Sequence, residues 1–201
     1  MQRVGEHSFL LDTGSAAGAR SLGGRIEAAS LPAIDEIVLG AQSVLVVFAD
    51  PVDEACRAEL DAIGAVTSED ETTPTGRLHE IAVRYDGPDL TDVAAAAGMT
   101  PAELVDLHAG AVYDVAFLGF QPGFAYLSGL PARLATVRRA SPRARIPAGS
   151  VAIGGEWTGI YPAESPGGWN LLGTAGSALF DPRANPPALL GPGDRVRFVA
   201  R

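Results

Sequence analysis

With 201 residues, 47% of them hydrophobic and 19% charged, the chain has the composition of one or two folded domains with real cores, and a disordered chain is excluded. The formal charge of −9 lies wholly in residues 1–76, where 13 acids face 4 arginines, while residues 77–201 carry 11 of each. That balance argues against nucleic-acid or anionic-membrane partners for the acidic part, and no apolar run approaches the roughly 18–20 residues that span a bilayer.

The first 64 residues alternate strand and helix signals. His7–Asp12 reads as a short strand, Ser21–Ser30 as a helix, and Ile34–Leu39 and Ser43–Ala49 as two strands joined by Gly40-Ala41-Gln42 in a tight hairpin. Val44–Phe48 is apolar throughout, which predicts a central strand covered on both faces. A second helix is expected from Asp50 as N-cap with Pro51 at its first position, running to about Ile63, with Gly64 as its stop. The order β-α-β-β-α predicts a small α+β domain of ferredoxin-like type. The polar stretch Thr67–Gly76 has no periodicity, so the domain boundary is expected there, giving domains 1–76 and 77–201.

His79–Tyr85 alternates apolar and polar residues as a half-buried strand does. Two short helices follow, the first capped by Asp89 and ended by Gly98. The second opens on the capping box Thr100-Pro101-Ala102-Glu103 and ends near Ala109-Gly110. From Tyr113 onward, short strands between Gly/Pro turns predict a barrel or sandwich, which the strand after Gly191-Pro192-Gly193-Asp194 is placed to close.

Cysteine and basic residues narrow the chemistry. Cys56 is the only cysteine and falls in a predicted helix, so no internal disulfide forms and a reducing, cytoplasmic setting is the expectation. The N-terminal residues lack the apolar core of a secretory leader. One cysteine and three scattered histidines argue against a structural metal site. All 15 basic residues are arginine, which removes a P-loop lysine, a Schiff-base lysine and a lysine base from consideration. Five of them (Arg133, Arg138, Arg139, Arg143, Arg145) fall within 13 residues; they read as a solvated loop or as bidentate binders of carboxylate or phosphate.

The densest signal is in residues 117–181. Gly-Pro-aromatic clusters recur in Phe117–Leu127, Ile146–Ile153 and Ile160–Trp169, more often than packing alone requires. Rigid loops that converge on a shared cleft are expected from them. The combined spacing of GFQPGFAYL, PAGSVAI and SPGGW, together with PGDRVRF at the end, resembles the KipI / allophanate hydrolase subunit 1 family, and the resemblance covers nearly the whole chain. Three positions depart from the pattern common in similar proteins: Ala109 after the histidine, Val137 where proline is frequent, and Thr174 after Gly173.

The resemblance implies a mainly-β, cyclophilin-like barrel after residue 77. In bacteria this family includes the B subunit of an ATP-dependent 5-oxoprolinase, inactive alone. That protein works with a C subunit carrying a related barrel, and with a separate A subunit. ATP with Mg2+ would serve the complex, because phosphorylating the oxygen of an unactivated lactam makes it open to water. Other branches suggest an inhibitor of a sensor histidine kinase, or a subunit acting on urea-derived amides such as allophanate.

Candidate residues follow from the motifs. His108 is a candidate acid–base group or a cation at its helix end. Amide donors for an anion are expected at Gly149-Ser150 and Gly167-Gly168, and Arg145 is a candidate bridge to phosphate or carboxylate. Phe120, Tyr126, Tyr161 and Trp169 read as walls that stack on adenine or exclude water, or equally as core. Pro122, Gly123, Pro147, Ser165 and Pro166 shape the same loops. Glu164 and Asp181 lack the spacing of a magnesium site, and a serine-hydrolase elbow is absent.

Overall fold

Alternating burial along each strand decides how the sheets pack. The computed structural model describes residues 1–65 and 76–201. The chain divides into two compact units, Met1–Pro74 and Thr75–Arg201, and all but Gly76 of the expected boundary segment 67–76 lies outside the described residues.

The N-terminal unit is a four-stranded antiparallel sheet with two helices. Its elements are β1 (Gln2–Val4), β2 (Ser8–Asp12), α1 (Ala16–Ala29), β3 (Ile34–Leu39), β4 (Ser43–Phe48) and α2 (Glu54–Ala65). The sheet order is β1-β2-β4-β3, so β1 flanks β2 at one edge and β4 is internal. Val44, Val46 and Phe48 are buried with Phe9, Leu11, Leu22, Ile26 and Leu60. The intervening Ser43, Leu45 and Val47 are only half-buried, so the central strand has one covered face rather than two. Two helix starts differ from expectation. α1 begins five residues early because the Ser15 hydroxyl accepts the Gly18 N–H at 3.0 Å. α2 begins after Asp53, not Asp50: the Asp53 carboxylate accepts from the N–H groups of Ala55 and Cys56 at 2.9 and 3.0 Å.

The C-terminal unit adds β5 (Leu78–Arg84), α3 (Leu90–Ala96), α4 (Pro101–Ala109), β6 (Val112–Leu118), β7 (Ala125–Ser128), β8 (Arg143–Ile146), β9 (Ser150–Gly154), β10 (Trp157–Ile160), β11 (Ser165–Gly167), β12 (Asn170–Ala175) and β13 (Arg195–Ala200). Seven strands close a barrel in the order β10-β7-β6-β13-β5-β12-β9, while β8 and β11 pair separately. The last strand does close it: β13 runs parallel to β5 and antiparallel to β6. Inward residues Val83, Val115, Leu127, Val151, Ile160 and Phe198 share one core. α3 and α4 add Val93 and Leu104 against Leu134, Ile153 and Leu172. The capping box forms as read, with Thr100 N–H to the Glu103 carboxylate at 2.7 Å and Glu103 N–H to the Thr100 hydroxyl at 3.3 Å.

Asp89 precedes α3 as expected, yet its side chain caps nothing. The buried carboxylate instead takes Arg143 through both terminal nitrogens at 2.8 and 2.7 Å, Arg139 at 3.0 Å and the Leu171 N–H at 2.7 Å. A carboxylate out of water needs charged donors more than one helix N–H, and two arginines supply them. Burial pushes its pKa up, but the Arg143 and Leu171 hydrogen bonds and both guanidinium charges outweigh that and hold it below the ordinary carboxylate value. Asp89 thus pins the arginine-rich segment to barrel strand β12. Replacing Asp89 by Asn should cost about 2 kcal/mol, since partly exposed arginines regain some hydration. A double-mutant cycle with Arg143→Gln, followed by urea unfolding, checks it; additive effects would contradict the pairing.

Candidate functional site

The three motif segments meet on the outer wall of the barrel. On β9 and β12, Val151 and Leu172 point into the interior cores while Ala152 and Leu171 face outward, where they pack with Phe124, Ile146, Tyr161 and Trp169. Phe124 is the hub, lying 5.1 Å from Tyr126, 5.3 Å from Tyr161 and 5.5 Å from Trp169 between ring centroids, each edge-to-face. Trp169 lies close to two residues without side chains. A Cβ on Gly154 would stand 2.6 Å from its ring, and one on Gly159 would meet Ala125 O at 2.9 Å and Phe124 at 3.2 Å.

The predicted walls are therefore largely walls against one another. Phe124, Tyr161 and Trp169 are buried, and Tyr126 is half-buried between Phe117, stacked at 4.4 Å, and Trp157. Burial pushes the Tyr161 hydroxyl's pKa up; the Tyr126 hydroxyl adds to this, while Arg138, the Trp169 N–H and Arg143 oppose it.

Phe120 is the exception. The residue is 59% exposed and its φ is +69°, a conformation that bulky residues avoid. The Gln121 N–H reaches Gly119 O at 2.8 Å, which closes a strained three-residue γ-turn around Phe120. A type II turn follows, with Pro122 in second place, Gly123 at φ +80° in third, and Phe124 N–H to Gln121 O at 3.0 Å. Gly119 N–H to Phe124 O at 3.1 Å seals the loop. The Phe120 ring meets Phe124 at 5.5 Å and Tyr161 at 6.2 Å edge-to-face, so a strained backbone holds it on the rim of the cluster with much of its surface in solvent, a pattern associated with binding loops.

The expected amide donors are not available at one of the two places. Gly149 N–H donates to Tyr161 O at 2.7 Å beyond β10 and Ser150 N–H to Pro147 O at 3.3 Å within the turn, so both amides are spent on the protein's own carbonyls. Ser150 is buried, and Pro147 is exposed on the same turn. Gly167 is held in β11 opposite Arg143, and the Gly168 carbonyl accepts from Arg139 N–H at 2.7 Å. Pro166 is exposed, while the Ser165 hydroxyl is buried with no partner. Arg145 is matched by Glu164 in a bidentate pair at 3.0 and 2.8 Å on the surface. Among the described residues, no cluster of three or more His, Cys, Asp or Glu side chains is placed to hold a metal ion.

His108 requires a correction. It is neither an accessible acid–base group nor a cation at the helix end. The ring is fully buried, stacked on Phe198 at 4.8 Å, with Nδ1 2.7 Å from the Tyr85 hydroxyl and Nε2 3.0 Å from the Thr158 hydroxyl. Thr158 gives its proton to Ala152 O, so it accepts from Nε2–H; Nδ1 then accepts from Tyr85. Each donor has one acceptor in this neutral tautomer. Burial lowers the pKa to about 3. Sequence spacing placed His108 on the helix's last turn but could not show that this turn enters the barrel.

Two outcomes test this geometry. The unfolded histidine titrates near 6.5 and the folded one near 3, so His108 stabilises fully above pH 6.5 and loses that contribution as pH falls toward 3. Wild type should lose about 1.5 kcal/mol more than His108→Gln between pH 6.5 and 5 in urea titrations; parallel losses would refute the buried neutral ring. Separately, Gly154→Ala should cost about 2 kcal/mol by forcing Trp169 off its bed, seen as lower Tm with red-shifted tryptophan emission. Unchanged emission would contradict the close approach.

Comparison with known proteins gives the family and the fold. A family model described as the carboxyltransferase domain, subdomain C and D, matches residues 1–190. A protein of Escherichia coli O157:H7 named as the B subunit of 5-oxoprolinase is 46% identical over 84% of this chain and 79% of its own length. Proteins of the same name from Bacillus subtilis and Haemophilus influenzae are 50% and 51% identical over 61% and 62% of the chain, and the matches span 52% and 60% of their lengths. The crystal structure of TTHA0988 superposes with a TM-score of 0.83 at 38% identity, covering 96% of this chain and 40% of that one. Urea carboxylase of Kluyveromyces lactis shares the fold alone, with a TM-score of 0.78 at 18% identity over all of this chain and 21% of that one. The motifs on the barrel wall and the match across both units place this chain in the carboxyltransferase-domain subdomain C and D family, the family its sequence resembles.

Proposed function

We propose that this chain is the B subunit of an ATP-dependent 5-oxoprolinase, which opens the lactam of 5-oxo-L-proline to glutamate. The observation that carries the reading is the identity of 46–51% to three proteins named as the B subunit of 5-oxoprolinase. The kinase-inhibitor and allophanate readings have no such support. The reading includes a C subunit with a related barrel, an A subunit, a cytoplasmic setting and no turnover by the chain alone. It also takes the barrel as cyclophilin-like and the N-terminal unit as ferredoxin-like, with β1 in the edge place that a final strand would fill.

The reaction breaks the ring C–N bond, and a water oxygen adds to the carbonyl carbon. ATP with Mg2+ supplies the activation of the carbonyl oxygen when bound. The exposed face of Phe120 suits stacking on a planar base, whereas the Gly149 and Ser150 amides are engaged elsewhere and do not suit a phosphate. In this reading the chain's own contribution is positioning: the sealed aromatic cluster sets the loop, and the loop presents one ring where water is to be excluded.

Purified chain, C partner and A partner should together hydrolyse ATP in a 5-oxoproline-dependent way, and the chain alone should not. Verified partners that give no such activity would overturn the reading. Phe120→Gly should keep Tm within a few degrees, because the positive-φ strain is relieved, while complex activity falls about tenfold or more. Full activity in that variant would remove Phe120 from the site.

A further inference from the structure

Positive charge collects at one corner of the outer wall. Asp89 has room for four hydrogen bonds, and Arg143 supplies two, Arg139 one and Leu171 one. The carboxylate is filled, yet Arg139 has spent a single nitrogen on it. Next to it, Arg138 holds its guanidinium carbon 5.9 Å from the Trp169 ring centroid. Among the described residues, no carboxylate lies within ion-pair distance of Arg138. Arg139 and Arg143 therefore share one carboxylate, and the neighbouring Arg138 has none among the described residues, in a chain whose formal charge is −9. Like charges gathered without an anion repel, and the arrangement becomes favourable when one arrives.

The surroundings suit such a visitor. The Arg139 N–H to Gly168 O bond at 2.7 Å fixes the arginine segment against the SPGGW loop. A Cβ on Gly168 would meet nothing closer than 3.7 Å, and its nearest neighbours belong to Arg139, Pro142 and Arg138. A guanidinium resting on an aromatic face keeps its N–H edge for acceptors lying in its own plane.

The geometry points to an oxyanion site at Arg138 and Arg139, beside Gly168 and Trp169, that takes a carboxylate or a phosphate group. It rests on the 5-oxoprolinase reading only for the choice between those two sources. Arg145, the arginine that motif reasoning favours, is occupied by Glu164, whereas Arg138 and Arg139 retain donors.

Inorganic phosphate and 5-oxo-L-proline, each titrated into the full chain against chloride of matched ionic strength, read the site by calorimetry. At least one should bind, and Arg138→Gln should weaken it about tenfold or more, with Arg138→Lys recovering part. Phosphate alone binding assigns a phosphate subsite; 5-oxoproline alone assigns the substrate carboxylate; both assign a general oxyanion site. Arg138→Gln breaks no hydrogen bond and should keep the wild-type Tm, so lost binding is not lost folding. No binding of either probe to wild type, or equal binding by Arg138→Gln, overturns the site. In the reconstituted complex, Arg138→Gln should raise the KM of the matching substrate more than it lowers kcat. An active complex with unchanged KM values refutes the site and leaves the function standing. Binding lost in the variant beside an inactive complex does the reverse.

Discussion

The placement of Trp169 on the barrel's outer wall is the contact on which the rest of the C-terminal unit depends. An indole can approach a β-strand closely only where side chains are missing, and Gly154 and Gly159 remove them on neighbouring strands. Once the ring is down, Phe124 and Tyr161 close around it, and three separate loop motifs become one cluster. Edge-to-face contacts then add orientation to simple area burial. The loops are rigid because their rings are shared.

The same strand is held from the other side. On β10, Gly159 faces the aromatic cluster while its neighbour Thr158 faces inward to His108. Period-2 alternation makes this possible: adjacent residues serve opposite faces. His108 ties β10 to Tyr85, to Ala152 through Thr158, and to Phe198 on β13 by stacking. A neutral, fully partnered histidine does this without the desolvation cost of a buried charge. Its ring is spent on holding the strand that floors the cluster and is enclosed away from solvent.

What remains for chemistry lies at the margins of that cluster. Phe120 sits on its rim on a strained turn, touching Phe124 and Tyr161 by its edge contacts, and Arg138 and Arg139 border it on the arginine segment. Both features depend on the sealed interior, because a loose cluster could hold neither a positive φ on a phenylalanine nor two neighbouring cations.

Local rules made much of this legible in the amino-acid sequence. The capping box at Thr100 and Glu103 and the hairpin at Gly40–Ser43 formed as read, because each is set by bonds within four residues. The motif spacing identified the family, and the final strand closed the barrel as its alternation suggested. Side-chain partners distant in sequence were another matter. Asp89 looked like a cap but binds arginines 50 and 54 residues away, and His108 looked accessible but meets Thr158 50 residues on. Glycine-rich loops announced themselves, yet whether the Gly149 and Ser150 amides faced a ligand or the protein's own carbonyls was decided by Tyr161 and Pro147. Local propensity and pattern are properties of short windows, which a sequence displays directly; burial and pairing are properties of the closed barrel, and only its tertiary packing decides which polar group is enclosed and which partner reaches it.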